Sequence, residues 1–178
     1  MIDLILKSLF LMLPAYFANM APVFAKKIDF LDYPIDFNKK LNKKPILGSH
    51  KTFRGLFFGV LAGLIIACIQ YLLKDYSFFS NISLLDYSNW LLIGLLLSFG
   101  ALAGDIVKSF VKRQLNIKPG KSFIPWDQID YTLGSLVFIS IIYIPSIEII
   151  ITAIIINFLL HIIANQLGYY LGLQKVKF

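Results

Sequence analysis

Four stretches of this chain carry almost no charge, and they decide what it can fold into. Uncharged residues run unbroken for 18 positions from Ser8 to Ala25, for 19 from Gly55 to Leu73, and for 18 from Tyr87 to Gly104. A fourth stretch, Tyr131 to Gln174, has 44 residues and one charge, Glu148. A helix needs about 20 apolar residues to cross about 30 Å of hydrocarbon, and each of the first three runs approaches that. At 1.5 Å per residue the fourth is about twice too long for one crossing. Pro145-Ser146 interrupts it beside Glu148, so two helices joined by a tight turn are predicted there. The reading is an all-α, polytopic integral membrane protein with five transmembrane helices. One domain covers residues 1–178, with spans near 4–25, 55–73, 87–110, 130–145 and 149–171.

Composition closes off the alternatives. With 58% hydrophobic and 15% charged residues in 178, the chain is too apolar for a soluble monomer, which at this size leaves much of its surface exposed. Disorder needs low hydrophobicity and is excluded too. The lone Cys68 forms no internal disulfide and reads as core filler.

The net charge of +7 is unevenly placed. Eight basic residues lie between Ala25 and Gly55, five between Ile106 and Ile124, and two at the tail, Lys175 and Lys177. With five crossings these segments share one side, and Lys7 and Lys74 take the other. Positive loops stay cytoplasmic. The N-terminus is therefore expected outside, with both long loops and the C-terminus inside. The expected location is the cell membrane, multi-pass, with the active site facing the cytoplasm. The first span has weak basic flanks before it and two lysines just after it, the reverse of a secretory leader, so it is read as retained.

Gly55, Gly59 and Gly63 recur every four residues, as do Gly100 and Gly104, and Gly168 and Gly172. Small residues at this spacing let helices approach closely in lipid. The same ridges also suit a homodimer.

Chemistry concentrates where charge meets the spans. The third span ends Gly104-Asp105-x-x-Lys108-Ser109-x-x-Lys112-Arg113, which puts Asp105, Ser109 and Lys112 on one helical face. An ionisable group at that depth is a functional candidate; the plainer reading is an Asp–Lys pair with snorkelling lysines. The second loop ends Pro125-Trp126-Asp127-Gln128-Ile129-Asp130. Helix-dipole compensation explains one such acid, but less well two beside Asp105 and five basic residues. Two or three carboxylates among lysines and arginines suit a magnesium–triphosphate site, since Mg²⁺ takes one or two carboxylates and completes its shell with phosphate oxygens and water. The first loop ends Gly48-Ser49-His50-Lys51-Thr52-Phe53-Arg54 at a helix start rich in anion donors, with a positive-inside anchor as the plainer reading. His161, flanked four residues away by Asn157 and Asn165, reads as an interhelical hydrogen-bond position. No zinc pattern and no Gly-x-Ser-x-Gly elbow occurs.

These residues resemble a known family. Ala18-Asn19-Met20-Ala21-Pro22-Val23, Pro34-Ile35-Asp36, Leu47-Gly48-x-x-Lys51-Thr52-x-Arg54-Gly55, the Asp105 to Arg113 segment and Asp127-Gln128-x-Asp130 occur in the order of the CDP-archaeol synthase family. That family is a short branch of the CTP:phosphatidate cytidylyltransferases. The wider CDP-diacylglycerol synthase signature has His-Gly-Gly before its acidic pair, where this chain reads Phe123-Ile124-Pro125-Trp126, which favours the short branch. Asn116 stands where members often have glycine.

The resemblance implies transfer of CMP from CTP to an unsaturated archaeal ether lipid phosphate, with Mg²⁺ as cofactor. The site residues are then assigned as follows. Asp127 and Asp130 ligate Mg²⁺, and Asp105 is a further ligand or supports them. Lys112, Arg113 and Ser109 hold the triphosphate. Lys51, Thr52, Arg54 and Lys108 grip nucleotide or lipid phosphate, and Asn19 reaches the site from within the membrane. The expected partners are CTP, a lipid phosphate and membrane lipids, and no nucleic acid. Two alternatives are a CDP-diacylglycerol synthase acting on phosphatidate and a small transporter or flippase subunit. The second requires polar residues through the whole membrane depth.

Overall fold

The computed structural model describes residues 1–48, 50–118 and 121–170. Ser49, Gly172, Lys175 and Lys177 lie outside that description, as do the side chain of Asn165 and the surroundings of Gly168. Among the described residues six helices carry the fold: α1 Ile2–Phe24, α2 Phe53–Leu73, α3 Ser77–Ile82, α4 Trp90–Gln114, α5 Trp126–Ile139 and α6 Ile147–Tyr170. The expected first three spans coincide with Ile2–Lys27, Phe53–Leu73 and Tyr87–Gln114, which among the described residues are the helical segments long and apolar enough to cross a membrane. Pro14 and Pro22 both sit inside α1 without ending it.

The expected helix at 130–145 differs. It begins four residues earlier, at Trp126, and ends at Ile139, a length of about 21 Å. The early stop is local. Ser140 Oγ donates to the Leu136 carbonyl at 2.6 Å. Turn hydrogen bonds then run from Ile141 to Phe138 and from Tyr143 to Ile139, and Pro145 keeps its preceding residue out of helical geometry.

The all-α expectation also misses a small element. Lys40–Leu41 (β1) pairs antiparallel with Lys44–Pro45 (β2). This hairpin docks on the end of α4: Lys44 Nζ donates to the Gln114 carbonyl at 2.6 Å, and Gln114 Nε2 to the Pro45 carbonyl. A cation on the last carbonyls of a helix is the favoured arrangement. Just beyond, Asn116 has φ +59°, the left-handed conformation that asparagine tolerates and glycine prefers.

Helix contact follows the glycines. A Cβ on Gly104 would meet the Asp130 carbonyl oxygen at 2.1 Å, and one on Gly134 would meet that of Gly100 at 2.1 Å. The backbones of α4 and α5 therefore touch where the site lies. Gly59 and Gly63 do the same for α2 against the carbonyls of Ala18 and Pro14 on α1. Buried polar groups add interhelical ties. Gln70 Nε2 donates to the Phe10 carbonyl, Ser135 Oγ to that of Leu97, and Tyr131 Oη to Asn157 Oδ1. In lipid such bonds are worth about 1 kcal/mol each. α3 closes the end of the bundle remote from the site, where Phe79 and Tyr87 pack on Phe10 at 5.9 and 5.6 Å between ring centroids.

Candidate active site

The segment before α2 shapes one wall of the site. Residues 31–35 run antiparallel to 51–54: Ile35 N–H donates to the Lys51 carbonyl, Phe53 to Tyr33 and Arg54 to Leu31. Asp36 locks the loop that follows. Its carboxylate accepts N–H bonds from Leu47 at 2.8 Å, Asn38 at 3.0 Å and Gly48 at 3.2 Å. Burial pushes this carboxyl upward, but those three donors outweigh it and hold it below the usual range. Thr52 caps α2, accepting from Gly55 N–H at 3.2 Å. Arg54 donates to the Ile28 carbonyl at 2.7 Å and pairs with Asp32 at 2.8 Å. The result holds Lys51 so that its ammonium reaches Asp105 on α4.

Three carboxylates from two helices surround one ammonium. Lys108 Nζ lies 2.8 Å from Asp130, 3.1 Å from Asp105 and 3.5 Å from Asp127. The Asp130 side chain is 5% exposed and that of Lys108 16%. The close α4–α5 approach at Gly104 is what brings these groups within reach of each other.

A cavity of about 660 Å³ opens over this cluster. Asn19, Lys51, Thr52, Arg54, Asp105, Lys108, Asp127 and Asp130 all line it, so eight expected site residues meet in one place. Lys26, Asp32, His50 and His161 also line it. Lys26 and Asp32 carried no distinguishing sequence signal. His161, read from sequence as a packing position, faces the cavity.

Three expected residues are elsewhere. Ser109 Oγ donates to the Asp105 carbonyl at 2.8 Å, a bond within its own helix. Lys112 is buried and gathers the returning loop, donating to the Lys121 carbonyl at 2.7 Å and to both Asp127 oxygens at 2.9 Å. Asp127 also accepts the Phe123 N–H at 2.6 Å. Arg113 packs near Gly48 rather than on the cavity.

The oxygen-only donor set of Asp105, Asp127 and Asp130 suits a hard cation such as Mg²⁺. Among the described residues no three acidic, histidine or cysteine side chains are disposed about a common metal position. The three carboxylates instead converge on an ammonium, so the chemistry fits the ion and the present arrangement belongs to Lys108.

A second cavity, about 530 Å³, runs between α4 and α5. Its walls are almost wholly apolar, including Val107, Val111, Leu133 and Val137, and Lys108 and Asp130 border it as well as the polar cavity. A polar chamber thus adjoins a greasy groove at one ion pair.

Known proteins match this chain over nearly its whole length. The family model described as CarS-like CDP-archaeol synthase matches residues 1–178. The CDP-archaeol synthase of Methanocaldococcus jannaschii is 34% identical over 97% of both chains. That of Methanococcus vannielii is 41% identical over 99% of this chain and 98% of its own. A solved structure of an intramembrane enzyme for archaeal membrane lipids biosynthesis superposes with a TM-score of 0.77 at 32% identity, covering 90% of this chain and 94% of that one. This chain belongs to the CDP-archaeol synthase family.

Proposed function

We propose that this chain is a CTP-dependent cytidylyltransferase that makes CDP-archaeol-type lipid from an archaeal ether lipid phosphate. A phosphomonoester oxygen of the lipid attacks the α-phosphorus of CTP. The bond from that phosphorus to the bridging oxygen breaks, and pyrophosphate leaves. The observation that carries this reading is the junction of two cavities. A polar chamber lined by Lys51, Arg54, Lys108 and three aspartates suits a nucleotide, and the apolar α4–α5 groove beside it suits a lipid tail. Both substrates then meet at Lys108 and Asp130.

Catalysis in such a site is positioning and charge neutralisation. Asp127 and Asp130 would hold Mg²⁺, with Asp105 beside them. Bound there, the ion neutralises charge developing on the phosphates. Lys51 and Arg54 supply donors at the cavity wall, and Asn19 adds an amide from α1. Lys112 sets the position of Asp127 rather than touching substrate.

The membrane arrangement proposed is five crossings, with α5 and α6 as the fourth and fifth, the N-terminus outside and the site cytoplasmic. The Lys51–Asp105 and Lys108–Asp130 pairs support it, because they put the starts of α2 and α5 at the same end as the finish of α4. Alternating crossings demand that parity. The clustering of charge at that one end argues against a transport path.

The test uses purified protein in nanodiscs with CTP, Mg²⁺ and either ether lipid phosphate or phosphatidate. CDP-lipid should form preferentially with the ether lipid, and EDTA should stop it. Asp130→Asn should insert normally and lose turnover. Normal turnover by that variant refutes the metal assignment, and preference for phosphatidate refutes the lipid assignment.

A further inference from the structure

Lys108 sits at the centre of the carboxylate cluster. It lies within 3.5 Å of three carboxylates and so holds the oxygens that a metal ion would need. Each of the other two aspartates has its own cation: Asp105 has Lys51 and Asp127 has Lys112. Lys108 is the cation paired with Asp130. Three carboxylates therefore face three ammonium groups, and the cluster is neutral. The cavity lining as a whole is also balanced, with four Lys/Arg (Lys26, Lys51, Arg54, Lys108) against four Asp (Asp32, Asp105, Asp127, Asp130).

We propose that Lys108 is a tethered counter-cation, which holds the carboxylates until a divalent ion arrives with the nucleotide and then turns to the phosphates. The inference rests on the proposed function for the identity of the nucleotide, but its charge argument stands on the cluster alone. A divalent ion added beside a fixed Lys108 would meet a like charge at contact distance, in a site where water screens poorly. Lys108 cannot simply leave either, because a buried Asp130 without a partner is costly. Exchange solves both difficulties: the metal takes the carboxylates while the polyphosphate takes the ammonium. The four-carbon stem of lysine allows such a turn without backbone movement, and Lys108 already borders the cavity. The metal alone should therefore bind weakly, and metal with nucleotide should bind as a unit.

The experiment measures Mn²⁺ binding without nucleotide, by electron paramagnetic resonance, on the full chain in nanodiscs. Lys108→Met removes the ammonium and keeps the length of the side chain. It should bind Mn²⁺ at least about tenfold more tightly than the wild type, by removal of one adjacent like charge. Lys108→Arg, which keeps the charge, should remain as weak as the wild type. Where methionine prevents insertion, Lys108→Gln keeps a hydrogen-bond donor for Asp130 and should show the same tightening. Unchanged or weaker Mn²⁺ binding in the neutral variants overturns the proposal. A wild type that makes no CDP-lipid while the neutral variants show the tightening keeps this inference and loses the proposed function; an active wild type without the tightening in those variants does the reverse.

Discussion

Gly104→Ala tests whether the α4–α5 contact sets the catalytic geometry. The added Cβ would lie 2.1 Å from the Asp130 carbonyl oxygen and 2.8 Å from its carbonyl carbon. Both are backbone atoms, so no side chain can rotate away. A tolerable carbon–oxygen contact is about 3.3 Å, and the two helices must therefore part by about 1.2 Å at this level. Asp105 and Lys108 ride on α4, and Asp127 and Asp130 on α5, so every ion pair across the seam stretches by a comparable amount. Displacement of about 1 Å in a positioned site costs about 10²-fold in rate. Overpacking costs about 1–3 kcal/mol, while alanine in place of a helical glycine returns about 1 kcal/mol. The net stability loss is then about 0–2 kcal/mol, and turnover should fall much further than thermal stability. Gly94→Ala is the control. Its Cβ would meet Ala67 Cβ at 2.9 Å and the Leu64 side chain at 3.1 Å, near the other end of α4. It should lower the melting temperature and leave kcat near wild type. The assay is CMP transfer from CTP to lipid phosphate by purified protein, with melting followed in parallel. A Gly104→Ala enzyme within about twofold of wild-type kcat refutes the reasoning.

Lys112→Met should loosen the loop between α4 and α5, because it strips Asp127 and the Lys121 carbonyl of their common donor. Breaking a buried pair costs about 3–5 kcal/mol, read as a lower melting temperature and faster proteolysis within residues 115–125. Asp36→Ala leaves three N–H groups without their acceptor, at about 1–3 kcal/mol for each group that stays buried, and should open the 33–52 loop to protease. The pH dependence of that loop follows from the direction of the Asp36 shift. The folded carboxyl is more acidic than the unfolded one. Its contribution is therefore complete above the unfolded value of about 3.9 and lost as pH falls through the lower folded value. Protection of the loop in the wild type should hold from neutral pH to about 4 and fail below it, while Asp36→Asn shows no such transition.

Much of this site was legible because membrane spans sort charge so strictly. Asp105, Asp127 and Asp130 stand at the ends of apolar runs, and the ends of neighbouring helices must meet at one face. Gly100 and Gly104 likewise announced a close contact, though not its partner, since Gly134 has no second glycine four residues away. The limits have physical causes. Helical periodicity placed Lys112 on the same face as Asp105, which is correct, but the Lys112 ammonium is taken up by the Lys121 carbonyl on the returning loop and by Asp127 at the start of α5. Nothing in a helical period says where a loop folds back. The role of Asp36 depends on a turn that brings Leu47 and Gly48 back over eleven and twelve residues, and the hairpin depends on docking against Gln114. The end of α5 was misplaced because Pro145 looked like its stop, while Ser140 and two turn bonds stop it sooner.

The distribution of charge separates orientation from catalysis. The chain carries an excess of seven positive charges, yet the cavity lining is balanced at four against four. Lys27, Lys39, Lys40, Lys43, Lys118 and Lys121 lie exposed on the connecting segments instead. In the proposed topology those lysines would act on the membrane, where each basic residue near an anionic surface contributes about 1 kcal/mol and biases orientation. A balanced cavity has no such excess with which to draw in a polyphosphate. Under the proposed exchange its affinity would come from separating pairs it already holds, giving ammonium groups to phosphate and carboxylates to a divalent ion. Separation is favourable only when both arrive, because either alone leaves a buried charge unmatched. A site that works by the proposed exchange would bind the metal–nucleotide complex in preference to its components, with the basic surface around it guiding the approach without setting the chemistry.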